Sequence, residues 1–321
     1  MECSKSLLIT GATGFVGQFL CLRLLSQGLS VRGTLLESES PTVLITGVDP
    51  VVIEPLGPDT PWHHALSDID TIIHLAARVH IMNDTVTDPL TEFRKVNVAG
   101  TLKLACDAAC AGVRRFVYIS SIKVNGEESA VSYTPDSPAS PSDPYGISKW
   151  EAEVGLHKIA SETGLEVVVV RPTLVYGPGV KANFLNMMKI ICKSIPLPFA
   201  SIRNRRSLIY VGNLVDALAV CATHPAAAGK TYMVSDGEDV STPELISRTA
   251  SALGVPVRLL PFPVSLMKLL GKLTGKGGVV NRLTGSLTVD CSKIRRELGW
   301  VPPFTMEEGL LETAAWFKGK Y

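Results

Sequence analysis

The sequence predicts an α/β fold: a doubly wound parallel sheet carrying a smaller, discontinuous α/β lobe. Three observations predict it. Short apolar strands alternate with helical stretches through the first half of the chain. The run Gly11-Ala12-Thr13-Gly14-Phe15-Val16-Gly17 follows the first strand at once and opens the first helix. After Arg171-Pro172 the alternation stops at the turn Tyr176-Gly177-Pro178-Gly179, then briefly resumes. Parallel neighbours need helical crossovers, so this alternation calls for helices on both faces of one sheet.

In chain order, strands are expected at 6–10, 30–34, 71–75, 115–120 and 166–171, with helices starting near Gly14 and spanning about 89–110 and 144–163. Beyond the boundary come a helix from about Ala182 and the basic lead-in Arg203-Asn204-Arg205-Arg206. A helix at 211–223 and a strand at 231–235 then return to the sheet. Residues 1–171 and about 207–238 therefore read as the sheet domain, and about 172–206 and 239–321 as the lobe. Residues 134–143, rich in Pro and Ser and without periodicity, read as a loop able to cover a site.

The chain is long enough, at 321 residues, to bury its core without disulfides or metals. With 31 basic and 30 acidic residues and no long block of like charge, nucleic acid is not an expected partner. The seven cysteines include no Cys-x-x-Cys pair, and their odd number suggests no secreted disulfide framework. A reducing cytoplasm is expected. Met1 leads almost directly into Leu7-Leu8-Ile9, which reads as a strand and not a signal peptide. The most lipid-like stretch, 262–280, is broken by Lys268, Lys272, Lys276 and glycines, so an amphipathic or packing helix is expected and no stable membrane insertion. Neither His63-His64 nor the cysteines have metal-ligand spacing, and no metal is expected.

The glycine run carries the first chemical signal. Gly11 permits a tight turn, Gly14 lets backbone approach a pyrophosphate, and Gly17 allows helix and strand to pack closely. The amides opening the helix then face negative charge, as a dinucleotide requires. The acid expected about 20 residues later, at the end of the second strand, is missing. Glu37 could take ribose hydroxyls and favour NAD; Arg32 could reach a 2′-phosphate and favour NADP. Both cofactors stay open, with NAD preferred.

The second signal is Tyr145 and Lys149, four residues apart at a helix start, with Ser120-Ser121 ending an apolar run upstream. Residues i and i+4 share a helix face, so the Lys149 ammonium is expected beside the Tyr145 phenol, favouring its anion. That phenol could serve as a base near neutrality, with Ser121 bonding the same substrate oxygen. Taken alone, this spacing also suits an ordinary helix start with a surface tyrosine.

Further motifs occur in a fixed order: His74-Leu75-Ala76-Ala77, Val96-Asn97-Val98-Ala99-Gly100-Thr101, Tyr118-Ile119-Ser120-Ser121, Arg171-Pro172-Thr173-Leu174-Val175-Tyr176-Gly177 and Asp290-Cys291-Ser292-Lys293. Together with the two signals above, they make residues 6–315 resemble an extended short-chain dehydrogenase/reductase of the sugar-nucleotide epimerase/dehydratase branch, with a Rossmann domain. The resemblance implies that Gly11, Gly14, Phe15, Val16 and Gly17 meet the pyrophosphate, Ala76 and Ala77 the ribose region, and Asn97 the network near the lysine. It implies that Lys149 also holds the nicotinamide ribose, and that Pro172 and Thr173 flank the nicotinamide. Pro55 stands where relatives place an aspartate, so adenine recognition falls to backbone near Leu56. His74 is implied to be a packed strand-end residue without chemistry.

By the same resemblance, Asn183, Phe184 and Arg206 grip the diphosphate of a UDP-sugar, and Leu287 limits sugar size, being slim enough to admit an N-acetylated sugar. A homodimer through the helices after Pro89 and Pro144 is also implied. Ser121 is followed by Ile122-Lys123, not an Asp-Glu pair, which disfavours dehydration. The remaining readings are a 4-epimerase of a UDP-hexose or UDP-N-acetylhexosamine, an NADPH-dependent 4-ketoreductase of a UDP-4-keto-6-deoxy-hexose, and a non-catalytic dinucleotide sensor. A reductase of steroid-like or phenolic substrates fits the phosphate-gripping residues less well.

Overall fold

The computed structural model describes residues 6–79 and 88–321. The first half comprises β1 (Ser6–Thr10), α1 (Phe15–Ser26), β2 (Ser30–Leu36), β3 (Asp49–Ile53), β4 (Ile69–His74), α2 (Pro89–Phe93), α3 (Thr101–Cys110), β5 (Arg115–Ile119), α4 (Pro144–Thr163) and β6 (Glu166–Pro172). Then follow β7 (Leu174–Tyr176), α5 (Ala182–Cys192), β8 (Arg206–Tyr210), α6 (Val211–Thr223), β9 (Thr231–Val234), β10 (Asp239–Val240) and α7 (Thr242–Leu253). The chain closes with α8 (Val264–Leu273), α9 (Gly277–Thr284), α10 (Ser292–Leu298) and α11 (Met306–Lys320).

Seven strands form a parallel sheet in the order β3-β2-β1-β4-β5-β6-β9, and β10-β8-β7 form a smaller sheet. The chain winds outward from β1 to β3 and then crosses to β4 on the other side of β1. A crevice therefore opens between the ends of β1 and β4, where ligands bind in such sheets. Alternate side chains feed opposite cores: Leu7, Ile9, Val168 and Val170 join α1, α5, α6, α7 and α11, while Leu8, Val167 and Val169 join α3 and α4.

Three differences from the sequence reading have local causes. The strand β3 was not expected; it is a sheet edge opening on Asp49-Pro50 with mostly exposed side chains, so it lacks a periodic apolar signal. The helix expected at 89–110 is divided by a π-helical turn, Arg94–Gly100, which contains the buried Asn97. The single helix suggested within 262–280 is two, α8 and α9, separated by Gly275 at φ +70°.

Helix α4 is fastened to β6 by an ion pair in the core. Glu153 is fully buried, and its carboxylate accepts from Arg171 Nη2 at 2.5 Å and Nε at 3.0 Å. Arg171 also donates to Asn125 Oδ1 and to the Pro135 carbonyl, tying down the loop in front of the helix. Removing one partner would strand the other charge in the core. Glu153→Ala is expected to cost about 3–5 kcal/mol in denaturant unfolding. The double variant Glu153→Leu/Arg171→Met should recover most of that loss; if it unfolds as early as the single variant, the ion pair is not the source of the effect.

Candidate active site

The glycine turn has the backbone that its sequence requires. Gly11 sits at φ +71°, and a Cβ there would stand 3.0 Å from the Ala76 amide nitrogen. A Cβ on Gly17 would lie 2.1 Å from the Gly11 carbonyl oxygen, so only glycine lets α1 start this close to the turn. Gly14 is the N-cap of α1 and provides no side chain to cap it, leaving the first-turn amides, those of Phe15 and Val16 among them, for an anion. Across the crevice, Ala76 donates its amide to Thr10 Oγ1 at 3.2 Å, holding Ala76 and Ala77 at the end of β4. These features fit a dinucleotide pyrophosphate.

The far end of the crevice is an open cavity of about 470 Å³ at the ends of β2 and β3, lined by Glu37, Glu54, Pro55 and His64 among others. Leu56 follows directly, its side chain packed where a Cβ on Gly100 would stand 2.8 Å away. Arg32 is not available here. Its guanidinium donates to Asp49 and to the carbonyls of Ala65 and Ser67, so the expectation that it could reach a 2′-phosphate fails. Position within the strand decides this, because Arg32 pairs with the first residue of β3, at the end of the sheet away from the crevice.

Tyr145 and Lys149 lie on the first turns of α4, whose start is set by Asp143 accepting from the Gly146 amide at 2.7 Å and by Pro144. Lys149 is 2% exposed and donates from Nζ to the Ile119 carbonyl at 2.7 Å. Its Nζ lies 4.6 Å from the Tyr118 ring centre and 5.9 Å from that of Tyr145. Phe93 meets Tyr145 edge-on at 6.1 Å. Ser121 accepts from the Lys123 amide at 3.2 Å, which orients its oxygen at the end of β5. Beneath this cluster, Tyr118 Oη and Ser120 Oγ are buried without a hydrogen-bond partner among the described residues.

The electrostatics differ from the sequence expectation. Burial raises the Tyr145 phenol well above its ordinary pKa, and the nearby Asp143 charge raises it further. Burial lowers Lys149 from 10.5 to about 7, opposed by Glu153 one turn along the helix. Desolvation thus outweighs the attraction between lysine and phenolate that their spacing suggested. Asp143 was missed as part of this site, although an Asp-Pro pair opening a helix was visible. It is paired in turn with Lys123, which also reaches Glu127 at 3.1 Å.

Other expected residues fall in varied surroundings. Asn97 exchanges two hydrogen bonds with the Arg78 backbone and donates to Ser148 Oγ, so it clamps the β4 end to α4 with its whole amide. Thr173 is buried beside Pro172, bonded to the Val234 carbonyl. Asn183 is exposed on the first turn of α5, whereas the Phe184 ring is 3% exposed and stacked on Tyr176 at 5.4 Å. Phe184 is therefore a core residue, and only its backbone is left for a ligand. Arg206 and Leu287 are neighbours across an isolated bridge, with Arg206 donating to the carbonyls of Arg282 and Gly285.

His74 is fully buried, with Nδ1 2.7 Å from Thr10 Oγ1 and Nε2 2.9 Å from Thr101 Oγ1. Burial first, and the Lys149 charge second, lower its pKa from 6.5 to about 3. The unfolded chain then binds the extra proton, so this contribution to stability is complete above pH 6.5 and is lost as pH falls towards 3. From about pH 7.5 to about pH 5 the loss is about 2 kcal/mol. Denaturant midpoints should show this slope in the parent and not in His74→Asn; equal slopes would remove His74 as its cause.

Comparison with known proteins agrees with this geometry. Residues 7–235 match the family model described as the NAD dependent epimerase/dehydratase family. The chain is 44% identical to a UDP-glucose 4-epimerase of Vibrio cholerae, covering 98% of this chain and 95% of that one. It is 30% identical to a UDP-glucose 4-epimerase of Mycolicibacterium smegmatis, covering 98% of each. The solved structure of MoeE5 in complex with UDP-glucose and NAD superposes with a TM-score of 0.77 at 25% identity, covering 98% of this chain and 99% of that one. The sheet order, the glycine turn and these likenesses converge: the chain belongs to the NAD dependent epimerase/dehydratase family.

Proposed function

We propose that this chain is a 4-epimerase of a UDP-hexose or UDP-N-acetylhexosamine, with NAD as its resident cofactor, working in the cytoplasm as a homodimer through α3 and α4. What supports the reading is Lys149 facing the Tyr145 ring on the first turns of α4, with Ser121 at the end of β5, in a chain 44% identical to the Vibrio cholerae enzyme. Glu37 and Glu54 line the far cavity while Arg32 is held elsewhere, which suits ribose hydroxyls and opposes a 2′-phosphate.

Bound NAD supplies a hydride acceptor and donor and, when oxidised, a cationic ring. The chain's residues do the rest. Tyr145 takes the proton from the C4 hydroxyl through Oη as that carbon becomes a ketone, and returns it after the sugar has turned its other face. Because burial holds the phenol up, the tyrosine needs cationic neighbours, and Lys149 is one that α4 itself provides. Ser121 donates to the same oxygen and fixes its position. Arg206 and Asn183 hold the diphosphate, and Leu287 borders the sugar.

Tyr145→Phe is expected to lower turnover by about 10²–10⁴-fold while cofactor binding persists. Lys149→Met should weaken both, and Ser121→Ala should cost less than either. Near-parental rates in Tyr145→Phe would exclude the tyrosine from the chemistry. Cofactor released by denaturing the purified protein should be NAD in stoichiometric amount, whereas a site that fills only with NADPH would favour the 4-ketoreductase.

Leu287 generates a separate expectation. UDP-N-acetylglucosamine should be converted alongside UDP-glucose, and Leu287→Tyr should selectively remove the N-acetylated substrate. Turnover of UDP-glucose with no conversion of UDP-N-acetylglucosamine by the parent protein would refute this role.

A further inference from the structure

The α8–α9 hairpin has two apolar faces, and only one of them is packed. Met267 and Gly271 are buried one turn apart, and α9 crosses at Gly271, where a Cβ would stand 2.6 Å from Val280 Cγ2. Elsewhere on α8, Leu266, Leu269, Leu270 and Leu273 recur at i, i+3, i+4 and i+7 and are 41%, 53%, 47% and 74% exposed. That spacing makes one continuous stripe, set apart from the packed face. With Leu260 and Val279, also exposed, six of the 19 exposed large apolar side chains among the described residues lie within 260–279.

Along the stretch of sequence that carries this stripe the charge is one-sided, and the carboxylate that comes up against the end of α9 is Glu128, beside Gly285. No Asp or Glu occurs between Glu244 and Asp290, whereas Arg248, Arg258, Lys268, Lys272, Lys276 and Arg282 all do, in a chain of net charge +1. Arg248 is engaged by Glu238 and Glu307; the other five have no carboxylate in their own stretch. Lys268, Lys272 and Lys276 are exposed beside the leucines. A second copy seated symmetrically on this face would set lysines against lysines. No helix among the described residues is long and apolar enough to cross a membrane.

We infer that the α8–α9 face docks on the surface of an anionic phospholipid bilayer, with the leucine stripe in the interfacial layer and the lysines against the headgroups. The hairpin is joined to the proposed substrate end, since the Arg282 carbonyl holds Arg206. The surface argument stands without the epimerase reading, because it uses none of the residues proposed for catalysis.

The test is flotation of the full chain with vesicles of phosphatidylcholine alone or mixed with phosphatidylglycerol, with turnover of soluble UDP-glucose and UDP-N-acetylglucosamine measured in parallel. Binding is expected to the phosphatidylglycerol vesicles and to weaken as salt is raised. Lys268→Gln/Lys272→Gln should weaken the partition by about fivefold per charge removed. Leu269→Ser/Leu273→Ser should abolish it, with unchanged thermal unfolding and turnover in both variants. Absence of flotation, equal flotation of the variants, or a concentration-dependent dimer that these substitutions break without any vesicle binding would each overturn the inference. A parent protein that floats but leaves both UDP-glucose and UDP-N-acetylglucosamine unchanged would count against the epimerase reading alone.

Discussion

The site depends on the orientation of α4, and that orientation rests on the buried pair between Glu153 and Arg171. Tyr145, Lys149 and Glu153 follow one another at four-residue intervals, so a single helix face carries a phenol, an amine and the carboxylate that anchors the helix to β6. Rotating the helix would move all three at once. Arg171 extends the constraint to residues 125 and 135, in the segments that precede α4. Fold and site are thus coupled through this guanidinium, alongside the clamp that Asn97 makes between the β4 end and α4.

That coupling also governs charge. Glu153 is the group that opposes the downward shift of Lys149, so the anchor of the helix keeps part of the positive charge on the lysine beside Tyr145. Lys149 is further held by the Ile119 carbonyl and faces the ring of Tyr118. His74 stays neutral close by, because both of its ring nitrogens are occupied by threonine hydroxyls in a dry environment. A second cation there would repel the lysine. The cluster therefore concentrates its one adjustable positive charge next to the tyrosine, and Lys123 offsets the opposing charge of Asp143.

The smaller sheet is fastened to the larger one. Asp236, just after β9, accepts from the Tyr210 amide, Asn213 and Tyr176, which fixes β7 and β8 against α6. From β8, Arg206 reaches the carbonyls that end α9.

Local chemistry determined much of this in the sequence itself. The glycine turn, the Asp143-Pro144 helix start, the span of α4 and the four-residue separation of Tyr145 and Lys149 each depend on residues that are near neighbours in the chain. The tertiary structure alone decided what depends on distant atoms. Edge strand β3 has no apolar pattern because it is half solvated, Phe184 faces the core because Tyr176 is there to stack on it, and Arg32 is captured by Asp49 from the neighbouring strand. The charge state of the site belongs to the same class. Desolvation sums over everything packed around a group, so whether Lys149 or burial governs the half-buried Tyr145 could be read only from the folded chain.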